Sequence, residues 1–155
     1  MQAYFPKAYF LDTSALFKRY RREEGSAAVE ALFSRQAVRF ISEITLLEVV
    51  SNLRRLVDVD KIVAPEEFDT LRATFLKDIA EENLEVVRLT GTIIVKSLAI
   101  ASQRYITPID AVQLATAASM AEPPVFVCAD QKLLRLAAEE GLEVLDVSRD
   151  VPAEK

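Results

Sequence analysis

Histidine and tryptophan are absent from this 155-residue sequence, which has one cysteine and three glycines. Without an imidazole, Ser-His-Asp and Cys-His catalysis, His-ligated zinc and phosphohistidine chemistry are all excluded. The single cysteine, Cys128, cannot form an internal disulfide, which is typical of proteins in a reducing cytoplasm. Any chemistry must therefore use carboxylates, hydroxyls, amines or a bound metal.

Long apolar runs are missing as well. No segment reaches the roughly 18 consecutive apolar residues of a membrane-spanning helix, and Lys96 interrupts the nearest candidate, residues 91–101. Residues 1–10 lack the basic and apolar segments of a secretory signal. We therefore expect a cytoplasmic protein that does not contact membranes. A net charge of −5 argues against a uniformly basic surface for indiscriminate duplex binding.

Short β-rich runs alternate with segments of helical period, which predicts an α/β fold with a central parallel sheet of about five strands flanked by helices. The predicted strands are residues 8–11, 38–41, 85–89, 125–128 and 143–146. Start signals for helices are Ser26, Ser42 before residues 43–57, Pro65 and Thr107-Pro108, and Gly141 is expected to end the helix after Asp130. We expect one domain over residues 1–155, with a frayed polar tail at 148–155.

Three acids stand at predicted junctions. Asp12 directly follows the first strand, and Asp130 follows the fourth after one alanine. The carboxyl edge of a parallel sheet is where ligands bind, but Asp is also a strong helix N-cap, so both roles stay open. Asp110 falls in the first turn of a helix capped by Thr107, which again allows a capping role. The small residues after it would let that helix pack closely: Ala111, Ala115, Ala117 and Ala118.

Periodicity alone singles out neither Glu48 nor the basic segment. Glu48 falls opposite the apolar stripe of its helix, on a side shared with Thr45, Ser51, Asn52 and Arg55, which indicates a solvated glutamate. The basic segment is either a phosphate-steering patch with a stacking tyrosine, or a solvated helix end paired with Glu23 and Glu24. It consists of Lys18, Arg19, Tyr20, Arg21 and Arg22.

Four segments together resemble the PIN-domain ribonucleases, and in particular the small VapC-type toxins of toxin–antitoxin pairs. They are FLDTSAL at 10–16, SEITLLEV at 42–49, TPIDAVQLA at 107–115 and VFVCAD at 125–130, in the order of the family. The resemblance runs from about residue 9 to residue 145 and implies a PIN-like three-layer sandwich. Cys128 departs from the family, whose members more often have Thr or Ser there; a buried thiol is the simpler interpretation of it.

The resemblance implies a metal site formed by Asp12, Glu48, Asp110 and Asp130, with Ser14 beside the metal. Carboxylates without histidine or cysteine make an all-oxygen site, which suits Mg²⁺ or Mn²⁺ better than zinc or copper. Such an ion lowers the pKa of a bound water and neutralises a scissile phosphate. The implied activity is metal-dependent endoribonuclease cleavage by water, which leaves a 5′-phosphate and a free 3′-hydroxyl.

The same resemblance implies an RNA substrate, an antitoxin protein in the active-site groove, and a homodimer. Residues 42–82 carry more apolar side chains than one sheet face needs, which is compatible with self-association or a partner helix. Two alternatives are a catalytically silent PIN-like module for RNA binding or assembly, and a PIN nuclease outside toxin–antitoxin systems. A phosphoacceptor domain is disfavoured because the third predicted strand ends without an aspartate.

Overall fold

The computed structural model describes residues 7–150, which form a five-stranded parallel sheet flanked by helices. The strands are β1 Ala8–Leu11, β2 Val38–Ser42, β3 Glu85–Val87, β4 Val125–Cys128 and β5 Val144–Asp146. The helices are α1 Thr13–Tyr20, α2 Ser26–Phe33, α3 Glu43–Asp58, α4 Pro65–Ala80, α5 Gly91–Gln103, α6 Pro108–Ala118 and α7 Gln131–Glu139. The predicted α/β fold with about five parallel strands is therefore confirmed.

The strand order is β3-β2-β1-β4-β5, so the chain extends the sheet to one side of β1 and then returns to extend it on the other. Because side chains alternate across a strand, β1 contributes Tyr9 and Leu11 to the core under α1–α4. Phe10 points to the opposite core under α5–α7, where it stacks on Phe126 with ring centroids 5.8 Å apart. These two cores on either side of the sheet make the three layers of the predicted sandwich.

The predicted helix starts at Ser42, Pro65 and Thr107 are confirmed, since Ser42 and Thr107 are N-caps and Pro65 opens α4. Ser26 is different, because it is the first residue of α2 and Gly25 is the N-cap. Gly25 has a φ of +94°, and a Cβ there would lie 1.9 Å from the Val147 carbonyl oxygen. Only glycine fits that position, because both the backbone conformation and the space exclude a side chain.

Two strands have an end that differs by one or two residues from the prediction. β3 ends at Val87 rather than at residue 89, because its pairing with β2 ends at Ser42. Past that point the Leu89 backbone N–H donates to the Glu43 carboxylate instead, at 2.9 Å. β5 begins at Val144, one residue later than predicted. Gly141 follows the end of α7 with a φ of +86°, as the stop signal predicted.

The predicted frayed tail is wrong for residues 148–150. The Asp150 carboxylate accepts hydrogen bonds from the backbone N–H groups of Gly25 and Ala27, at 3.1 and 3.0 Å. A carboxylate is stabilised there because the first N–H groups of α2 lack partners within the helix. The remaining tail residues, 151–155, lie outside the described residues, as do residues 1–6. Within residues 7–150, no helix has the length and apolar character to cross a bilayer.

The apolar residues of segment 42–82 are used mainly in the core. Most of them are buried or partly buried beneath α3 and α4, while four large ones are more than half exposed: Leu47, Val59, Ile62 and Leu76. The segment is therefore weaker evidence for a partner surface than its composition indicated. A more continuous exposed apolar face lies on α5, at Ile94, Val95 and Leu98.

Candidate active site

A cleft of about 200 Å³ opens where β1 and β4 end. These are the central strands at which the chain changes direction across the sheet, and parallel α/β sheets bind ligands at that point. The lining residues, hereafter the acidic cleft, are Asp12, Thr13, Ser14, Glu48, Asn52, Asp110, Gln113 and Asp130. The four acids and the serine singled out in the sequence thus share one cleft, although they are far apart in the chain.

Asp12 is both a helix cap and a cleft residue. Its carboxylate accepts hydrogen bonds from the Ala15 backbone N–H at 3.1 Å and from the Ser14 hydroxyl at 2.8 Å. The residue is only 4% exposed. Burial raises the pKa of Asp12 to about 6, and the charge of Asp110 acts in the same direction. No ion pair of residues 7–150 includes Asp12, so its negative charge has no cationic partner there.

Asp130 and Asp110 approach the cleft from α7 and α6. Asp130 is the N-cap of α7 and accepts a hydrogen bond from the Leu133 backbone N–H at 2.9 Å, while its side chain stays exposed at the mouth. Asp110 follows the capping residue Thr107 and is half-buried. Burial raises the pKa of Asp110, and the negative charge of Asp130 raises it further. The cap and site interpretations of Asp130 are therefore compatible.

Glu48 lies in the cleft and not on a solvated face, which corrects the interpretation from periodicity. Its Oε1 accepts a 2.6 Å hydrogen bond from the Thr13 hydroxyl. Thr45, three residues earlier on α3, is fully buried. Helix α3 packs against the sheet on its apolar side, and its polar side contacts α1 as well. A single amphipathic stripe cannot reveal this second buried side.

Gln113 connects the polar side chains behind Glu48, and the sequence did not mark it as a site residue. Its Nε2 lies 2.8 Å from the Thr45 hydroxyl, 3.1 Å from the Thr13 hydroxyl and 3.2 Å from the Glu48 carboxylate. Its Oε1 is the one buried side-chain oxygen or nitrogen within residues 7–150 that lacks a hydrogen-bond partner. The spacing in the sequence could have indicated it, because Gln113 falls three residues after Asp110 and so lies on the same face of the helix.

Ser14 joins the ends of the two central strands. Its hydroxyl donates to Asp12 and accepts a 3.1 Å hydrogen bond from the Ala129 backbone N–H. The Cys128 sulfur lies 3.7 Å from the same hydroxyl and accepts the Asp130 backbone N–H at 3.2 Å. Burial raises the pKa of the Cys128 thiol, so it is a neutral group that orders the turn into α7. The predicted buried thiol is confirmed.

Within the predicted phosphate-steering patch, Lys18, Arg19 and Tyr20 contact other residues of the chain. Lys18 is only 8% exposed, and its ammonium contacts the Glu23 carboxylate at 3.1 Å. Tyr20 is buried, and its hydroxyl donates to Asp78 at 2.6 Å, so its ring is not available to stack on a base.

Arg19 is occupied by the same aspartate. It donates to Asp78 from Nε at 2.7 Å and from Nη2 at 2.9 Å, and its guanidinium lies 3.8 Å from the centre of the Phe33 ring. The end of α1 therefore packs against α4, and Arg21 and Arg22 alone keep the exposure that a patch needs, Arg21 only in part. Of the alternative interpretation, a solvated helix end paired with Glu23 and Glu24, the structure contains the Lys18–Glu23 pair, but Lys18 and Tyr20 are buried.

The donor types in the acidic cleft fit a hard divalent cation, because Mg²⁺ and Mn²⁺ prefer carboxylate and water oxygens. The uncompensated, buried charge of Asp12 is a further reason to expect a cation there. Residues 7–150 nevertheless contain no group of three or more Asp, Glu or Cys side chains spaced to hold one ion. Mg²⁺ is usually held by one or two carboxylates and several waters, so a hydrated ion fits the donor types of the cleft without such a group.

The profile of the PIN domain family matches residues 9–147. Among solved structures, the chain is similar to FitAcB from Neisseria gonorrhoeae, with a TM-score of 0.69, 16% identity and coverage of 90% of this chain and 98% of that one. It is also similar to a toxin-antitoxin complex from Klebsiella pneumoniae, with a TM-score of 0.64, 18% identity and coverage of 92% and 99%.

A third similar structure is VapBC2 from Rickettsia felis bound to a DNA fragment from their promoter, with a TM-score of 0.64, 17% identity and coverage of 90% and 98%. At these identities the three likenesses establish a shared fold. No curated protein matches the sequence. The family match covers all four acids of the cleft, since each lies between residues 9 and 147.

Proposed function

The chain belongs to the PIN domain family, and on that premise we propose that it is a metal-dependent endoribonuclease that acts as the toxin of a toxin–antitoxin pair. Members of the family are generally nucleases. The observation that carries the proposal is the meeting of Asp12, Glu48, Asp110 and Asp130 in one cleft at the centre of the sheet edge. This is the place and the residue chemistry that phosphodiester hydrolysis with a divalent ion requires.

In this proposal Asp12, Asp110 and Asp130 hold Mg²⁺ or Mn²⁺, together with Glu48. When bound, such an ion supplies charge neutralisation at the scissile phosphate and lowers the pKa of a bound water. Neighbouring polar side chains hold two of these carboxylates in position. Ser14 holds the Asp12 carboxylate, and Thr13 and Gln113 hold Glu48. In the same proposal Asp130 or Asp110 steers the attacking water, and Asp130 is the more exposed of the two.

The partners follow from the same proposal. The similar structures include toxin-antitoxin complexes, and an acidic cleft would accept a basic side chain from an inhibitory antitoxin in the cytoplasm. We assign the homodimer contact to the exposed apolar face of α5, at Ile94, Val95 and Leu98.

A second candidate function is a catalytically silent PIN-like module that binds RNA. The observation that favours it is the spacing of the carboxylates, none of which belongs to a preformed ligand group within residues 7–150. The nuclease and the silent module differ in whether a divalent ion binds in the cleft and in whether RNA is cleaved.

We expect Mg²⁺ or Mn²⁺ to raise the melting temperature of the wild-type protein relative to EDTA. An ion that binds only the folded state stabilises it by about 2.7 kcal/mol at a concentration a hundred times its dissociation constant. Thermal melts over a metal titration measure this shift, and Asp12→Asn is the matched variant in which it should shrink. An unchanged melting temperature at millimolar metal would favour the silent module.

The direct test of function is incubation of the purified chain with end-labelled single-stranded and structured RNA in Mn²⁺, Mg²⁺ or EDTA. We expect metal-dependent cleavage that leaves 5′-phosphate ends and is lost in the Asp12→Asn variant. Metal-independent products, or products with a cyclic 2′,3′-phosphate, would contradict hydrolysis by a metal-activated water.

We expect Gln113→Leu to lower kcat about tenfold, with KM changed less than twofold. The substitution removes the amide N–H donors to Glu48 and Thr13, and a hydrogen bond to a charged group is worth roughly 1.5–3 kcal/mol. Steady-state cleavage kinetics measure the effect. Thr116→Ala is the control, because Thr116 is buried on the same helix and donates only to its own backbone at Val112. Equal loss in both variants would reduce Gln113 to a structural role.

A further inference from the structure

Beside the acidic cleft lies a second hollow of about 180 Å³, between the start of α6 and α7. The α6–α7 hollow is lined by Ile106, Thr107, Asp110, Asp130, Lys132, Leu133 and Leu136. It shares Asp110 and Asp130 with the acidic cleft, so the two spaces meet at these carboxylates. An extended ligand that crossed the acidic cleft could therefore continue into this hollow.

The α6–α7 hollow has the mixed character that a nucleotide requires. Its floor is apolar, since Ile106, Leu133 and Leu136 are among the core residues of that side of the sheet. Its rim carries Lys132, which forms no ion pair within the described part of the chain. No lysine or arginine lines the acidic cleft itself.

Tyr105 lies beside Lys132 and is 79% exposed, the highest exposure of any large hydrophobic residue between residues 7 and 150. The Lys132 ammonium lies 5.0 Å from the centre of its ring. A cation over the ring orients it without covering it fully, because such contacts form within about 6 Å of one face. Tyrosine rings on a surface are the platforms on which proteins stack unpaired bases.

We propose that Tyr105, Lys132 and the α6–α7 hollow form a subsite for single-stranded RNA, in which Tyr105 stacks on a base and Lys132 binds the adjoining phosphate. The proposal rests on the nuclease function above and places one nucleotide beside the scissile bond. The phosphate is argued from Lys132, the one cation of residues 7–150 that lines the hollow. Asp110 and Asp130 line it as well, and the divalent ion of the proposed function would offset their charge. Single strands are favoured because a paired base cannot reach the ring.

The test is binding of a short fluorescein-labelled single-stranded RNA, measured by anisotropy in Mg²⁺ on the full chain carrying Asp12→Asn to prevent cleavage. We expect Tyr105→Ala to weaken binding about tenfold, since stacking on an aromatic ring contributes about 1–3 kcal/mol per base. Tyr105→Phe, which keeps the ring, should bind within twofold. Lys132→Ala should weaken binding severalfold and reduce the dependence on salt by about one phosphate contact.

Two control variants match the chemistry but lie elsewhere. Leu89→Ala removes an exposed apolar side chain from the loop between β3 and α5, and Lys77→Ala removes an exposed lysine from α4. Both should bind RNA like the parent protein. Losses in these variants equal to those at Tyr105 and Lys132 would overturn the subsite.

Three further results would decide between the subsite and its alternatives. Unchanged RNA binding by Tyr105→Ala, or an equal loss for duplex and single-stranded RNA, overturns the stacking role. If Tyr105→Ala loses binding to a basic antitoxin segment but keeps its RNA binding, the hollow is a protein-binding site and the proposal is overturned. RNA binding that depends on Tyr105, in a wild-type chain that cleaves nothing with any metal, overturns the nuclease and supports the subsite.

Discussion

Replacing Asp12 by asparagine is expected to lower RNA cleavage at least about a hundredfold, because metal ions contribute several kcal/mol of transition-state stabilisation that this carboxylate helps to hold. Asparagine keeps the size of the side chain and the oxygen that accepts the Ala15 backbone N–H. The variant therefore removes the charge and leaves the helix cap in place. Cleavage rates in Mn²⁺ and Mg²⁺ measure the loss, and activity within tenfold of wild type would remove Asp12 from the catalytic site.

The same variant should not lose stability in EDTA. Burial raises the pKa of Asp12 from 3.8 to about 6, so the folded chain binds this proton more tightly than the unfolded chain does. Stability of the metal-free wild type should therefore fall by up to about 3 kcal/mol as pH rises from about 4 to about 6, and remain lower above that. In Asp12→Asn this dependence is absent.

Thermal melts in EDTA at pH 5 and pH 7.5 test this expectation. At pH 7.5 the variant should melt at the wild-type temperature or a few degrees above it. Asp69→Asn is the control, because Asp69 is exposed on α4 and pairs only with Arg72. A fall of several degrees specific to Asp12→Asn would mean that the negative charge of Asp12 stabilises the folded chain at the N-terminus of α1 and does not destabilise it.

Replacing Asp78 by alanine is expected to lower the melting temperature by roughly 6–20 °C. Asp78 is 4% exposed and accepts hydrogen bonds from the Arg19 guanidinium and the Tyr20 hydroxyl. Removing one partner of a buried pair costs about 3–5 kcal/mol, and Arg19 would keep only its longer contact with the exposed Glu30 carboxylate, at 3.5 Å. For a chain of this size each kcal/mol corresponds to about 2–4 °C.

The pKa of Asp78 points the same way, because hydrogen bonds and charge from Arg19 outweigh burial and lower it. The folded chain therefore holds this proton less tightly than the unfolded chain, so the pair stabilises the protein above about pH 4. That stabilisation is lost as the pH falls through the lowered folded-state pKa of Asp78.

Two controls give the Asp78 measurement its meaning. Asp69→Ala breaks an exposed pair with Arg72 and should cost no more than about 1 kcal/mol. The double variant Arg19→Met, Asp78→Leu removes both charges and should recover much of the loss. If Asp78→Ala melts no lower than Asp69→Ala, the pair does not hold α1 against α4.

The strands and the junction acids could be predicted because their signals are local. The alternation of Tyr9, Phe10 and Leu11 across β1 needs only neighbouring residues, and Asp12 follows at the point where the strand must end. Parallel strands then bring the carboxyl ends of β1 and β4 to one edge. Glu48 could not be found this way, because its environment is set by a second helix packing on α3, and only the family resemblance indicated it.

The basic segment shows the opposite limit. The sequence shows a tyrosine, Tyr20, among basic residues. It does not show that Arg19 and Tyr20 both bind Asp78, which lies 58 residues after Tyr20. The contact between Tyr105 and Lys132 likewise joins the loop before α6 to the first turn of α7, and α6 and β4 lie between them in the sequence. Neither contact leaves a trace in the periodicity of its own segment.

By itself, then, the sequence determined the alternating order of strands and helices, their caps, and the exclusion of histidine and zinc chemistry. It also placed Asp12 and Asp130 at one edge of the sheet. Only the tertiary structure decided that Thr13 and Gln113 hold Glu48, that the end of α1 is bound to α4, and that an exposed tyrosine lies beside Lys132. The reason is physical, since caps and periodicity depend on residues a few positions apart, whereas burial and charge pairing depend on which helices meet.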